Sequence, residues 1–437
     1  MSMLRFVLVA VAGSCAVACT AEDSTGEAQT IEGAGGEPGD DKADDGHDGG
    51  HGGGLGGSTG GAGGTPSTGE DAEVPEVDLA PPPPPPTEPP VGVPALGAGS
   101  HSADRVKIEV LATRSNGLRT PRDLGFDPEV PGRLWVVNRT DDSVVIFHDV
   151  NDPDGRIEKR IDPFALHFME EVSSIEFGAP GFFGTCQESR NTYDNQADPN
   201  DFMGPSLWSS DLEIFGYSNP EAVAFLGYDL GSHLDMLHES PFCMGIAWES
   251  ENVYWTFDGL TGSLTRADFM QDHGIGYDDH SDGRMQRYVE GEVTRVPDVP
   301  SHMVFDRRDG KLYVADTGNA RVAVLDSESG SSRGRMPVIE PGTQLWRMVD
   351  ASLTTLADAD GAELVLPSGL ALHGDLLYVT DHETSRITAM SLTGEIVDWL
   401  DTGLEAGSLM GIEIDEAGRL YVVDAARDRV LRISAQD

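Results

Sequence analysis

The sequence predicts an all-β fold, a six-bladed β-propeller, on three observations. A short meander of alternating apolar residues recurs, a polar residue closes the second strand of each copy, and the two chain ends carry the strands needed to shut a ring. The clearest copy is Ser301 to Asp326, SHMVFDRRDGKLYVADTGNARVAVLD. Met303 and Phe305, Leu312 and Val314, and Val322 and Val324 give three strands of period two. Arg307-Arg308-Asp309-Gly310 and Asp316-Thr317-Gly318-Asn319 read as the turns between them. One meander cannot bury both of its faces, so it needs copies to stack against.

Five further copies follow the same plan. Leu409 to Ile433 and Ser368 to Met390 are close, Met244 to Arg266 and Asp123 to Phe147 are looser, and Ser174 to Tyr193 is the most degraded. The polar residue ending the second strand falls at Asn138, Gln187, Asp258, Asp316, Asp381 and Asp424. The uneven spacing places insertions between blades. The last meander ends at Ile433 with no fourth strand of its own, so Arg105 to Ala112 is expected to supply the outer strand of blade 6 and hide the open edges.

Gly411 to Asp415, Leu312 to Asp316 and Asn319 to Val322 resemble the G-I-A-V-D, L-Y-V-A-D and N-x-R-V pieces of the NHL-repeat β-propellers. The resemblance covers about residues 105 to 437. It implies a fold and leaves activity open, because propellers host many unrelated functions.

Ahead of the ring, Arg5 precedes an apolar run from Phe6 to Val17, too short to span a bilayer and shaped as a secretory leader over residues 1–19. Cys15 and Cys19 each follow small residues, and Cys19 fits the length of the run better as a lipoprotein cysteine; an ordinary cleaved signal is the alternative. Residues 20–100 are rich in Gly and Pro and read as a disordered tether, with an average reach on the order of 50 Å. His47 and His51 in that tether could catch metal, although a solvated acidic linker explains them as well. Residues 101–437 form the propeller. The formal net charge of −46 excludes nucleic acid as a partner and favours cationic partners or divalent metals, with membrane contact only through a lipid anchor. The chain is expected outside the cytoplasm, on the cell surface, in the periplasm or secreted, and as a monomer.

Cys186 should lie near the end of the second strand of blade 2 and Cys243 should start the first strand of blade 3, which puts both on one rim. A disulfide is expected there, and two buried free thiols are the alternative. Phe182 to Asp211 reads as a long ordered loop over one face, its order carried by Tyr193, Phe202, Met203 and Trp208. It is expected to act as a lid, or else as a plug of the channel, with Trp208 as an exposed ligand contact.

Two histidine clusters are candidate sites. The first groups His233, Asp235 and His238 with His302 and Asp123; His302 and Asp123 hold the position that is glycine at Gly245, Gly369 and Gly411, the start of the innermost strand. Polar groups there face the channel and need partners, whether a metal, a ligand or water. Channel or ligand contact is therefore expected at Asp123, His238, His302 and Trp208. The second cluster is DFMQDHGIGYDDHSD, with His273, Asp278, Asp279, His280 and Asp282 as ligands for calcium or a transition metal such as zinc, or a solvated acidic loop. Strand direction puts this turn on the face opposite His302, so the clusters are kept apart.

Pro300-Ser301-His302 and Pro121-Arg122-Asp123 are similar to blade starts of the peptidyl-amidoglycolate lyases, whose inner-strand histidines hold a zinc. That resemblance implies a metal at His302, with His238 needed as a further ligand because glycines occupy the other blade starts. The gluconolactonase-like, calcium-dependent propellers are a second comparison, but their ligand set does not match position by position. No GxSxG, CxxCH or Walker pattern is present. Two readings follow: a binding module for a small molecule, glycan or protein, and a metal-dependent hydrolase or lyase at the central channel.

Overall fold

A computed structural model describes residues 92–191 and 200–436. The leader with Cys15 and Cys19, the linker before Gly92, and Tyr193 lie outside the described residues. Six sheets account for the strands, and the ring closes. The innermost strands are Pro121–Phe126, Val172–Phe177, Cys243–Ser250, Met303–Asp306, Pro367–His373 and Leu409–Ile414. Each packs against the next, and the last packs against the first.

Alternation explains the packing. Leu312 and Val314 of the blade 4 second strand enter the core shared with blade 3, whereas Tyr313 and Ala315 enter the core shared with blade 5. Six such cores lie between neighbouring blades, including one of blade 6 against blade 1 through Tyr421, Val423, Leu124 and Leu134. A sheet buried on both faces in this way explains why the second strands read as nearly continuous apolar runs.

All six second strands end on the polar residue expected, at Asn138, Gln187, Asp258, Asp316, Asp381 and Asp424. These side chains satisfy the backbone of the following turn or of an incoming segment. Asp316, for example, accepts from Thr294 N at 2.8 Å and from Arg321 Nε at 2.8 Å. Ring closure is also as expected. Val106–Ala112 pairs antiparallel with Arg429–Ala435, from Val106 opposite Ala435 to Ala112 opposite Val430. Cys186 and Cys243 form a disulfide, with their Cα atoms 5.1 Å apart.

Three features differ from the sequence expectation. The described chain starts inside the stretch assigned to the tether, and Val93, Ala95 and Leu96 are buried in the core between blades 5 and 6. Asp398 anchors that segment by accepting from Val93 N at 2.7 Å and Gly99 N at 3.0 Å. Blade 3 has six strands, because the hairpin Ser331–Met336 and Gln344–Val349, inserted within blade 4, adds in parallel to the blade 3 outer strand. The stretch Phe182 to Asp211 is not one loop. Phe182–Gln187 and Ser206–Ser209 are the second and third strands of blade 2, and the outer strand of that blade, Asp235–Met236, has only two residues.

Trp208 therefore belongs to a strand. It is fully buried in the core between blades 1 and 2, and its indole N–H donates to Thr185 Oγ1 at 2.8 Å. It is no exposed ligand contact. Of the residues expected to order that stretch, Met203 is buried in the same core and Phe202 stacks on the His238 ring at 3.6 Å.

Candidate functional site

The residues singled out in the sequence fall into two places, the axis and the rim between blades 2 and 3. On the axis, Asp123 and His302 do turn inward and meet, His302 Nε2 lying 3.5 Å from Asp123 Oδ2. Both are nearly inaccessible, at 8% and 4% exposure. His302 Nε2 also lies 3.2 Å from the Ser173 carbonyl, to which it can only donate. The carboxylate of Asp123 accepts from Leu124 N at 2.9 Å and Ile175 N at 3.0 Å. Burial pushes the Asp123 carboxyl up to about 7 and the His302 imidazole down to about 4. The spacing would allow an ion pair, but burial favours the neutral form of each, and we read the pair as a neutral contact.

The glycines at the other blade starts have a packing reason. A side chain at Gly245 would strike the Ser301 carbonyl, and one at Gly369 the Met410 carbonyl. At this level neighbouring inner strands touch. The axial pair is a satisfied contact, and His302 belongs to no group of three metal-ligating side chains among the described residues.

Further along the axis the strands diverge around a cavity of about 400 Å³. Phe126, Phe177 and Trp248 form its walls, and Glu176, Glu413 and Arg307 supply its charged groups. The Arg307 guanidinium lies 4.2 Å over the Trp248 ring. Burial, then repulsion from Asp123, raises Glu413 to about 8; burial, then Glu413, drives Glu176 well above the usual carboxylate range. Sequence reading missed these residues. Their signal was a charged residue near the end of three inner strands, at Glu176, Arg307 and Glu413.

The rim brings together what strand direction had separated. The segment between the third strand of blade 3, Ser263–Asp268, and its fourth, Arg284–Tyr288, folds back across the short outer strand of blade 2. His273 N donates to Leu234 O at 3.1 Å and Gly276 N to His233 O at 2.8 Å. Gly276 has φ +68°, and a side chain there would meet the Gly231 carbonyl at 2.6 Å. Only glycine allows the two loops to approach so closely. His233, Asp235 and His238 thus join His273 and His280, and leave His302 to Asp123.

Within this cluster every imidazole has a defined partner at Nδ1. His233 Nδ1 is 2.9 Å from Leu230 O, His273 Nδ1 is 2.7 Å from Gly274 O, His280 Nδ1 is 2.8 Å from Asp235 Oδ1, and His238 Nδ1 is 2.6 Å from Glu340 Oε2. Phe168 stacks on His233 at 3.5 Å between ring centres. Burial lowers His233 and His238 well below the ordinary imidazole range, and His273 to about 4. His280 differs: burial opposes its charge, but the Asp235 and Asp278 carboxylates outweigh that and hold it up to about 9. Asp278 Oδ1 stands 3.4 Å from His280 Nε2. Asp279 and Asp282 are exposed and are engaged elsewhere, by Ser281 and by Gln271 N.

No protein-family model matches this sequence, and no curated protein matches it. Solved structures are similar in architecture at low identity. A protein of unknown function from Bacteroides thetaiotaomicron is 10% identical, with 76% of each chain covered and a TM-score of 0.49. An auxiliary nutrient binding protein from the same species is 11% identical, with 76% of this chain and 77% of that one covered, at TM-score 0.48. Virginiamycin B lyase from Staphylococcus aureus is 12% identical, with 76% of this chain and 100% of that one covered, at TM-score 0.44. The closed ring of six blades stands on the strand pairing of this chain, and these likenesses add nothing about what it binds.

Proposed function

We propose that the domain is an exported binding propeller that takes a small polar molecule bearing a cationic group into the cavity at one mouth of its channel. One observation carries this reading: aromatic walls and two carboxylates converge on a single axial cavity, Trp248 with Phe126 and Phe177 around Glu176 and Glu413. Binding pockets of a few hundred Å³ commonly combine apolar walls with a few convergent polar groups. Arg307 already lies over Trp248, so the wall accepts a flat cation. Glu413, raised to about 8 by burial, keeps its proton at neutral pH. A cationic ligand favours its ionised form, so binding releases a proton and tightens between about pH 6 and 9.

The test is calorimetric titration of the protein with a panel of alkylamines and arylalkylamines, cationic at neutral pH, in buffers of different ionisation enthalpy. Binding with proton release, lost in Trp248→Ala and weakened about tenfold or more in Glu413→Gln, is the expected result. Absence of binding across the panel, or equal binding by Trp248→Ala, overturns the proposal.

A hydrolase or lyase working at His302 has no observation in its favour beyond the contact with Asp123. Export and anchoring are part of the proposal, supported by the Cys186–Cys243 disulfide, which persists in oxidising compartments. Palmitate labelling of cells should be lost in Cys19→Ala and kept in Cys15→Ala.

A further inference from the structure

Where the two insertion loops cross on the rim, His233, His273 and His280 each bring one ligand nitrogen to within 4.8 Å of the others. We propose that these three imidazoles bind a zinc-class transition-metal ion through their Nε2 atoms, with the Asp278 carboxylate beside His280 as the fourth ligand.

The argument starts from the protons. The carbonyls of Leu230 and Gly274 only accept, so Nδ1 carries the hydrogen in His233 and His273 and the lone pair sits on Nε2. His280 differs: Asp235 and Met236 N both stand at its Nδ1, and its Nε2 faces the Asp278 carboxylate, so a metal there takes the place of the Nε2 proton between them. Outer partners on Nδ1 of just these kinds, carbonyl and carboxylate, orient metal-ligating imidazoles and raise their basicity.

The inner nitrogens have no use of their own. Nε2 of His233 and of His273 is buried without a hydrogen-bond partner, and His233 is fully buried. A buried polar atom left unsatisfied bears its full desolvation penalty, and a core would avoid placing two of them in one cluster. A histidine kept only for packing would turn this nitrogen toward a donor.

Spacing and chemistry name the ion. Metal–nitrogen bonds of about 2.0–2.1 Å put two ligands of a tetrahedral ion roughly 3.3 Å apart. The Asp278 Oδ1 to His280 Nε2 distance of 3.4 Å already matches that. The imidazoles need a closing movement, which His273, on a partly exposed stretch, is placed to make. Three nitrogens and one oxygen suit zinc, copper or nickel rather than calcium, which takes six to eight oxygens. The metal would clasp the rims of blades 2 and 3 in the crevice that the disulfide also bridges.

The test uses the full-length protein, purified without a metal-affinity tag and dialysed against a weak chelator. Elemental analysis should find about one equivalent of zinc or a related metal, and Co²⁺ should replace it with the ligand-field bands of a tetrahedral site. His273→Gln and His280→Gln should each lower retained metal at least tenfold, while His302→Gln on the axis leaves it unchanged. If His280→Gln fails to fold, His273→Gln on its exposed stretch decides, with folding checked by circular dichroism. Folded protein that shows no saturable Zn²⁺ or Co²⁺ binding overturns the proposal. Metal that survives His273→Gln, held by His47 and His51 of the linker or elsewhere, overturns it equally.

Discussion

His302 and His280 each stand close to a buried aspartate, 3.5 Å from Asp123 on the axis and 2.8 Å from Asp235 on the rim. The two contacts look alike in sequence and differ in what surrounds them. On the axis the repeat itself is crowded: glycines at neighbouring blade starts let strands touch, and a backbone carbonyl takes the proton of His302. On the rim, loops that the repeat does not require have been brought together by backbone hydrogen bonds, with two inner nitrogens left bare. A polar residue at a repeat position where neighbouring strands touch is a packing solution. Residues gathered from insertions, with their outer nitrogens all engaged and two inner ones bare, carry the proposed metal site.

The largest test of this contrast is at the disulfide. It closes a separation of 57 residues between blades 2 and 3, for which loop entropy predicts about 4 kcal/mol. Cys186→Ser with Cys243→Ser should lose stability of that size in denaturant titrations, and, because Ser173, which meets His302, also donates through Oγ to Cys243 O, the axis should gain hydrogen exchange more than the rim. Equal loosening of both regions would erase the distinction.

Next in size, His302→Ala should cost about 1–3 kcal/mol by leaving the Ser173 carbonyl unpaired. Its pH dependence has a definite sign. The folded imidazole titrates at about 4 against an ordinary value of about 6.5, so its contribution is full above 6.5 and is lost as pH falls through 4. The stability gap between wild type and variant should therefore widen from pH 4 to 6.5. A gap that narrows over that range would mean His302 is charged in the fold.

Smaller again is Glu413→Gln. Glu413 titrates at about 8, so its stabilising contribution is full below its ordinary value near 4.5 and is lost as pH rises through 8. The variant should gain on the order of 1–2 kcal/mol over wild type at pH 9 and little at pH 5, after allowance for solvent at the cavity mouth. The smallest effect expected is Arg307→Ala, less than about 1 kcal/mol for the cation–π contact with Trp248, read by thermal unfolding.

The fold was largely legible because it repeats. Asp316 and its five counterparts end their strands where the pattern says, and Val106–Ala112 closes blade 6 as the missing fourth strand required. The disulfide followed from strand direction alone. The same reasoning failed for the rim, because direction fixes where a turn begins and says nothing of how far a long insertion climbs. The segment ahead of Arg284 left its own turn to pair with Leu234 and His233. The hairpin Ser331–Met336 escaped notice for a different reason: its residues are almost all exposed and show no alternation to read. Trp208 was misread because a degraded repeat hid the strand that carries it. The cavity at Glu176 and Glu413 was invisible until the inner strands could be seen to diverge.

Joining Val106–Ala112 to Arg429–Ala435 fixes a timetable for the whole domain. Among the described strands Val106–Ala112 is made first and has no partner until Arg429–Ala435 has been made, so a half-made ring stays open and its edge blades stay uncovered. Such a molecule completes itself late and all together.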